Sequence, residues 1–305
     1  MFPVAATLRC RPAREEDQES MTDVVGKQRD DSSPNVDRYF NSYAQMSESI
    51  ATLQRFMSLR DMVIRVLKKK SEEIADLEIA DIGCGAGTQC ILWAQNGHRH
   101  VHGIDINEGL IKLGKQRAAV GGHTIDFCLG SSADLPWSDE TMDVCLVPEV
   151  LEHVPAWQTC LKEYARILRP GGLLLITTSN KLCPLQEEFR LPLYSWYPRW
   201  VKKYCEHLAV TTHPHLVNYS RYPAVNWFSY YMLREELQKL GFGLCLDRFD
   251  VIDTTQKGAL AKVVLQGMRA VPLLRWLGHV TNVGTLIVAF KADHRSGVNE
   301  QVTIY

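Results

Sequence analysis

The sequence has no excess of charge of either sign: 34 Lys and Arg stand against 35 Asp and Glu, a formal net charge of −1. A surface built for nucleic acid shows as a basic surplus or a clustered basic face, so no nucleic-acid partner is expected. The one basic run, Lys68-Lys69-Lys70, closes an amphipathic stretch, where it complements the negative end of a helix dipole. No apolar run of membrane-spanning length is free of charges, and the apolar start, Met1 to Leu8, is too short for a signal-peptide core. There is no C-x-x-C pair among the nine cysteines, and no internal repeat. An odd cysteine count in a chain of 305 residues fits a reducing cytoplasm better than a secreted, disulfide-framed protein.

What is present is apolar residue enough, 46%, for one large core. Residues 1–34 mix Arg, Glu, Asp, Ser and Pro with few apolar anchors and read as a mobile N-terminal extension. Residues 35–305 read as one domain. It opens with one helix around Phe40, Tyr43 and Met46 and a second over Ile50 to Lys70. Strand-like runs then follow at Glu78–Ile82, His100–Asp105, Ile125–Leu129, Met142–Val147 and Leu173–Thr177. Helical stretches separate them at Thr88–Asn96, Gly109–Ala119 and Trp157–Leu168, the last stopped by Pro170-Gly171-Gly172. Short strands alternating with helices predict βαβ units and a parallel sheet, a doubly wound α/β fold. After an irregular aromatic segment, the pattern predicts a helix over Tyr231–Leu240 and a strand over Gly243–Val251. A helical stretch over Ala259–Leu277, broken near Pro272, and a last strand over Thr285–Lys291 complete it.

The strongest local signal is Asp81-Ile-Gly83-Cys-Gly85-Ala-Gly87, which follows an apolar strand and precedes a helix. Glycines at this bend permit a tight turn and let a ligand reach the backbone, while helix N-terminal N–H groups face a polar group such as a carboxylate. Alone, the loop is equally an ordinary strand-to-helix turn. Asp105, in Gly103-Ile-Asp105-Ile106 at the end of the next strand, stands where an acid can accept hydrogen bonds from two ribose hydroxyls. The loop Gly130-Ser-Ser-Ala-Asp134-Leu-Pro-Trp137 offers polar groups to a base edge and, through Leu135 and Trp137, an apolar wall to its face. Pro148-Glu149-Val-Leu-Glu152-His153-Val154 follows the fourth strand.

Together these segments resemble class I S-adenosylmethionine-dependent methyltransferases of the group sharing D-x-G-C-G-x-G, G-x-D, a D-L-P-[FW] loop, E-x-L-E-H-V and L-[RK]-P-G-G. All five occur in order within about residues 78–178. The resemblance implies a Rossmann-like fold: a mostly parallel, seven-stranded sheet with its last strand antiparallel. It implies S-adenosyl-L-methionine as cofactor, with Asp81, Gly83, Gly85 and Gly87 lining it and Asp105 and Ile106 at its ribose. Ser132, Ala133 or Asp134 would lie beside adenine, and Pro148 would reach the methionine side by its backbone. Ser131 departs from the group, where many relatives carry Asp, which leaves the adenine contact more to backbone groups. The segment also looks like polyprenol-quinone O-methyltransferases, in which a Leu-Arg pair on the preceding helix sets an Arg near the cofactor carboxylate. Leu59-Arg60 matches that pair, and a solvent-facing Arg on an amphipathic helix is the competing reading.

Methyl transfer from a sulfonium is an in-line displacement that needs acceptor and methyl held in register, and a hydroxyl acceptor must also lose its proton. Glu149, Glu152 and His153 fall at i, i+3 and i+4 and share a face if they begin a helix. His153, with Glu152, is the candidate general base. In the quinone-pathway relatives this E-x-x-E-H set is associated with a divalent metal, so Glu149, Glu152 and His153 are candidate ligands for Mg²⁺ or Zn²⁺. The same residues equally suit a structural part, tying a helix start to nearby loops.

The segment of about residues 180–230 carries Trp196, Tyr197, Trp200, Tyr204, Tyr219, Tyr222, Trp227, Phe228 and Tyr230, with Arg190, Arg199, Lys202 and Lys203 between them. By resemblance it is a helical, aromatic-rich cap over the active site, suited to a hydrophobic, aromatic or glycosyl acceptor. Trp196–Val201 with Lys202-Lys203 would alternatively rest on a membrane surface, making the protein membrane-peripheral. A small satellite core under a long loop is the plainer reading. The expected function is methylation, most readily of a hydroxyl, on a small molecule. A cofactor-binding scaffold without catalysis and a nicotinamide-dependent oxidoreductase are the alternatives. Asp81, two residues before the first glycine, argues against the latter, and no N-P-P-Y-like loop suggests a nucleic-acid acceptor.

Overall fold

The computed structural model describes residues 34–70, 76–186, 188–189, 191–217, 223–255 and 257–293. The expected mobile extension therefore lies outside the described residues except for Pro34, which opens helix α1 (Pro34–Ser47). Helix α2 (Ile50–Lys70) follows. The sheet-forming run is β1 (Glu78–Ile82), α3 (Thr88–Gln95), β2 (His100–Asp105), α4 (Glu108–Val120), β3 (Asp126–Leu129), β4 (Met142–Pro148), α5 (Trp157–Ile167) and β5 (Leu168–Ser179). Then come α6 (Arg199–Thr211), α7 (Tyr230–Lys239), β6 (Phe242–Asp247), α8 (Arg248–Val251), α9 (Ala259–Ala270), α10 (Pro272–Val280) and β7 (Gly284–Lys291).

Seven strands form one sheet in the order β3-β2-β1-β4-β5-β7-β6. The pairs among β1 to β5 are parallel, and β7 runs antiparallel to both β5 and β6. Central strands such as β1 and β4 are buried on both faces because helices cover both, the pattern of a doubly wound sheet. One core packs Tyr164, Leu161, Phe228 and Leu233 against one face of the sheet. The other sets Val63, Val66 and Trp93 against the opposite face. Since the strand order reverses between β1 and β4, their C-terminal ends leave a crevice there.

Two expected boundaries move for identifiable reasons. The Pro170-Gly171-Gly172 stop lies inside β5, not before it. Met142 pairs with Leu168 and Val144 with Leu173, so the extra residues bulge out of the ladder. Pro170 has no N–H to donate and Gly171 sits at φ +79°, and both are tolerated where the ladder is broken. The expected strand over Gly243–Val251 ends at Asp247, because Asp247 and Asp250 form a reciprocal capping box that starts α8.

Residues 189–227 contribute a third, smaller cluster of Phe189, Tyr194, Cys205, Ala209, Val217, Ala224 and Trp227. Phe189 and Tyr194 stack at 4.1 Å, and the Lys202 ammonium lies 4.1 Å from the Trp227 ring centroid. Trp196, Trp200 and Tyr204 stay exposed. Arg190, Tyr219 and Tyr222 lie outside the described residues.

Candidate functional site

The β1–α3 bend is held by hydrogen bonds from the neighbouring strand. Asp105, at the tip of β2, accepts the Gly85 N–H at 2.9 Å through one carboxylate oxygen and the Asn107 N–H at 2.8 Å through the other. The Cys84 N–H donates to the Ile104 carbonyl at 3.0 Å. Gly85 is at φ +53°, and a Cβ there would collide with the Tyr43 hydroxyl. Gly83, at φ +67°, would drive a Cβ into Val150. Both positions thus combine a left-handed backbone with a close neighbour, and only glycine meets both conditions. Asp105 therefore lies against the glycine bend, not apart from it.

Asp81 is 1% exposed. Burial, countered in part by the Cys90 thiol and aided by the Asp105 charge, pushes its carboxyl up to about 7. One oxygen is 3.3 Å from the Cys90 sulfur; the other has no hydrogen-bond partner in the structure. An orphaned, buried carboxylate oxygen needs a donor, and a ligand's ammonium is a fitting one.

Around this centre the other expected residues fall as follows. Ile106 is 44% exposed beside Asp105, presenting an apolar surface at the rim. Ser132 is buried with its hydroxyl 3.3 Å from the Cys160 sulfur, the Ala133 N–H donates to the Ser131 hydroxyl oxygen at 3.2 Å, and the Asp134 side chain is exposed. Leu135 and Trp137, expected as an apolar wall, are instead 4% and 2% exposed and belong to the main core. Arg60 does not lie at the bend: its guanidinium is taken up by Asp61 and, at 3.1 Å, by the Leu92 carbonyl of α3. Arg55, earlier on α2, is the arginine near the β4 loop, 3.9 Å from Glu149.

The segment after β4 departs from the expected single helical face. Glu149 has a left-handed backbone, φ +56°, and only Leu151–His153 form a short 3₁₀ turn. Glu149 is pinned to β5, its N–H donating to the Thr177 carbonyl at 2.8 Å and its carboxylate accepting the Thr177 hydroxyl at 2.7 Å. Glu152 points the other way, fully buried, accepting the Thr178 hydroxyl at 2.9 Å. Its other oxygen and the His153 Nδ1 are buried with no hydrogen-bond partner. Burial, then the Glu149 charge, raises the Glu152 carboxyl well above the ordinary range. Ligand atoms of Glu152, His153 and Glu188 lie within 4.8 Å of one another. Glu149 is not in that group, and Glu188 is, supplied by the segment after β5. The same segment locks the turn from behind: Val225 and Asn226 N–H groups donate to the Glu152 carbonyl at 2.8 and 3.1 Å.

Sequence reasoning missed Tyr43, Arg55 and Glu188. Helix α1 lies across the glycine bend. The Thr88 hydroxyl donates to the Ser47 carbonyl at 3.1 Å, and Arg117 of α4 donates to the Ala44 carbonyl at 3.0 Å and to the Ser47 hydroxyl at 2.9 Å. The amphipathic pattern around Phe40 and Tyr43 signals a helix but not what it covers, and Glu188 stands in no motif.

Residues 80–176, from β1 through most of β5, match the family model described as a methyltransferase domain. This stretch is a methyltransferase domain. The chain is similar to a demethylmenaquinone methyltransferase of Bacillus subtilis, at 29% identity over 148 residues, covering 48% of this chain and 61% of the relative. A ubiquinone biosynthesis O-methyltransferase of Maricaulis maris is 42% identical over 106 residues, 34% of this chain and 41% of that protein. The chain thus spans less than two thirds of the length of these curated relatives. A solved structure of an S-adenosylmethionine-dependent methyltransferase from Methanosarcina mazei aligns with a TM-score of 0.47 at 21% identity, covering 73% of this chain and 95% of that one. The methyltransferase domain contains the glycine bend, Asp105 and the Glu149–His153 turn. Helices α1 and α2, Glu188 and everything after β5 lie outside the matched stretch.

Proposed function

We propose that the whole chain transfers a methyl group from S-adenosylmethionine to a hydroxyl of a small hydrophobic acceptor, with a quinone-type ring as the leading class. The observation that carries this reading is the contact between the glycine bend and Asp105, backed by the orphaned oxygen of Asp81. The named relatives support the acceptor class.

In this reading the cofactor supplies an electrophilic methyl on a sulfonium. Asp105 holds the ribose hydroxyls, and Ile106 with the Ser132-Ala133-Asp134 backbone holds adenine. Asp81 faces the ammonium, while the free N–H groups opening α3 face the carboxylate. The Pro148 backbone sits on the methionine side, and Arg55 takes the place expected of Arg60. His153, held by the turn that Asn226 and Val225 brace, removes the acceptor proton, and the segment of about residues 180–230 caps the acceptor.

The Glu152–His153–Glu188 group fits a divalent ion of the Mg²⁺ or Zn²⁺ kind, since two carboxylates and an imidazole converge with two buried atoms otherwise unpartnered. Such an ion would polarise the acceptor hydroxyl and, by occupying the His153 nitrogen, would replace the proton-accepting role of that side chain. Glu149, tied to Thr177, would not be a ligand.

The deciding experiment incubates the protein with methyl-labelled cofactor and cell extract, with and without a chelator, and identifies the labelled product by mass spectrometry. A labelled aromatic ether supports the reading, and loss of label with chelator supports the ion. Asp105→Ala should weaken cofactor binding by about 1.5–3 kcal/mol, roughly tenfold to a hundredfold, because hydrogen bonds to a charged group are lost. An unchanged dissociation constant in calorimetric titration would overturn the site assignment.

A further inference from the structure

Eight of the nineteen large hydrophobic side chains exposed among the described residues fall between Leu260 and Leu277, on α9 and α10. Their spacing is ordered. On α9, Leu260, Val263 and Val264 stand at i, i+3 and i+4, and are 78%, 65% and 48% exposed. On α10, Leu273, Trp276 and Leu277 repeat that spacing, with Val271 and Leu274 exposed beside them. Residues at i, i+3 and i+4 share one helix face, so each helix presents an apolar stripe to solvent.

The opposite edges are firmly anchored. The Arg275 guanidinium binds Asp247 at 2.7 Å and also Asp250, and the His279 Nε2–H donates to Asp247 at 2.8 Å while the ring stacks on Tyr230. Leu265 is buried beneath α9. Two rigidly held helices with outward apolar stripes are a built surface, not a frayed one.

The surroundings favour one occupant. From Asp253 to Asp293 the chain has no intervening Asp or Glu, and Lys257 and Lys262 stand exposed there, whereas Arg269 and Arg275 are turned towards α8 and Lys291 lies at the far end of the sheet. Lys262, Gln266 and Arg269 share the flank of α9 that lines a cleft with Thr254. An apolar stripe with a half-exposed tryptophan and a basic flank is the chemistry of an amphipathic helix lying in an anionic lipid interface. At 12 and 9 residues, α9 and α10 extend about 18 and 14 Å, well short of the roughly 30 Å hydrocarbon core, so they lie in the plane. No helix of the described residues is long and apolar enough to cross a membrane.

We propose that the α9–α10 hairpin is a monotopic docking surface for an anionic lipid bilayer. Its place in the fold gives this a use. The hairpin leaves the sheet after β6 and returns at Gly284, which pairs with Ser179 at the C-terminal end of β5. It therefore emerges at the same end of the sheet as the glycine bend and the Glu152–His153 turn. This surface differs from the Trp196–Val201 segment expected from the sequence, whose Lys202 is turned inward to Trp227 and to the Ser195 carbonyl at 2.8 Å.

The test uses the full chain with vesicles of phosphatidylcholine alone or containing 30% phosphatidylglycerol. Sedimentation should carry the protein down with the anionic vesicles, and Leu273→Glu combined with Leu277→Glu should cut that partition at least tenfold. Lys257→Glu with Lys262→Glu, both at exposed positions, should remove the preference for anionic lipid. Brominated lipid should quench the wild type more than Trp276→Phe, a readout that needs no charged substitution to fold. Absence of partition by the wild type would overturn the proposal. So would partition unaltered in both pairs of variants, or a wild-type dimer in light scattering that the leucine variants dissociate. Cofactor affinity, measured in parallel, should not move, which keeps this result separate from the methyl-transfer reading.

Discussion

Asp81 and Asp105 are two carboxylates at neighbouring strand tips with different surroundings. Asp105 accepts two backbone N–H groups, whereas Asp81 has one weak thiol partner and one bare oxygen. In the free protein the Asp81 carboxyl is raised to about 7 from 3.8. The neutral form is thus the stable folded form. Its contribution to stability is fully present below pH 3.8 and is lost as pH rises through about 7, at up to about 1.4 kcal/mol per pH unit. A ligand ammonium placed beside the bare oxygen reverses the preference and ionises the acid. Binding of S-adenosylmethionine at pH 6 should therefore release a proton, and binding at pH 8 should release none. Titration calorimetry in two buffers of different ionisation enthalpy measures this directly, and Asp81→Asn should abolish the release. Equal proton release at both pH values would mean that the Asp81 carboxyl does not meet the ammonium.

At the scale of elements, the loop-and-strand signals were legible where chemistry is local. The glycine bend, the acid twenty-odd residues on and the alternation through β5 need only near neighbours in the chain, and their positions in the structure match to within a few residues. The misses share a cause. Ending β6 at Asp247 requires noticing a D-x-x-D capping box within an apolar run, and setting Pro170-Gly171-Gly172 inside β5 requires the partner strand. Glu149 leaves the Glu152–His153 face because its backbone is held left-handed by Thr177, a contact across 28 residues. Arg55 and Arg60 cannot be ranked from periodicity, which gives the face but not what it meets.

The capping box is also an energetic prediction. Burial pushes the Asp247 carboxyl up, but hydrogen bonds with His279 and Arg275 outweigh it and hold the group ionised. Asp247→Ala would leave Arg275 and His279 without their buried partner and α8 without its cap. The expected loss is about 3–5 kcal/mol, read as a lower urea midpoint. Glu235→Ala, at an exposed pair with Lys239, should leave the urea midpoint nearly unmoved and serves as the comparison.

At the scale of the whole molecule, the doubly wound sheet follows from alternation, but the excursions do not. Residues 189–227 fold on their own small core, and the helices between β6 and β7 expose what an amphipathic pattern normally hides. The small satellite core is the plainer reading of that crowded aromatic segment, but the outward direction of the stripes between β6 and β7 cannot be read from periodicity alone. The domain assignment has a whole-molecule readout. A ligand at a hundred times its dissociation constant stabilises by about 2.7 kcal/mol. S-adenosylmethionine should then raise Tm by roughly 5–10 °C, at about 2–4 °C per kcal/mol. NADH at the same concentration should leave it unmoved; the reverse pattern would restore the oxidoreductase alternative.

Asn180, 1% exposed, is a clasp between the two excursions. Its amide donates to the His279 and Asn282 carbonyls, both at 2.7 Å, and its oxygen accepts the Leu182 N–H at 2.9 Å. Its own N–H donates to the Val283 carbonyl at 3.0 Å. The chain leaving β5 and the chain entering β7 are thus sewn together at one stitch. Tightening of one by a bound acceptor should slow deuterium uptake in the other, at the amides around Asn282 and Val283, and Asn180→Ala should uncouple them.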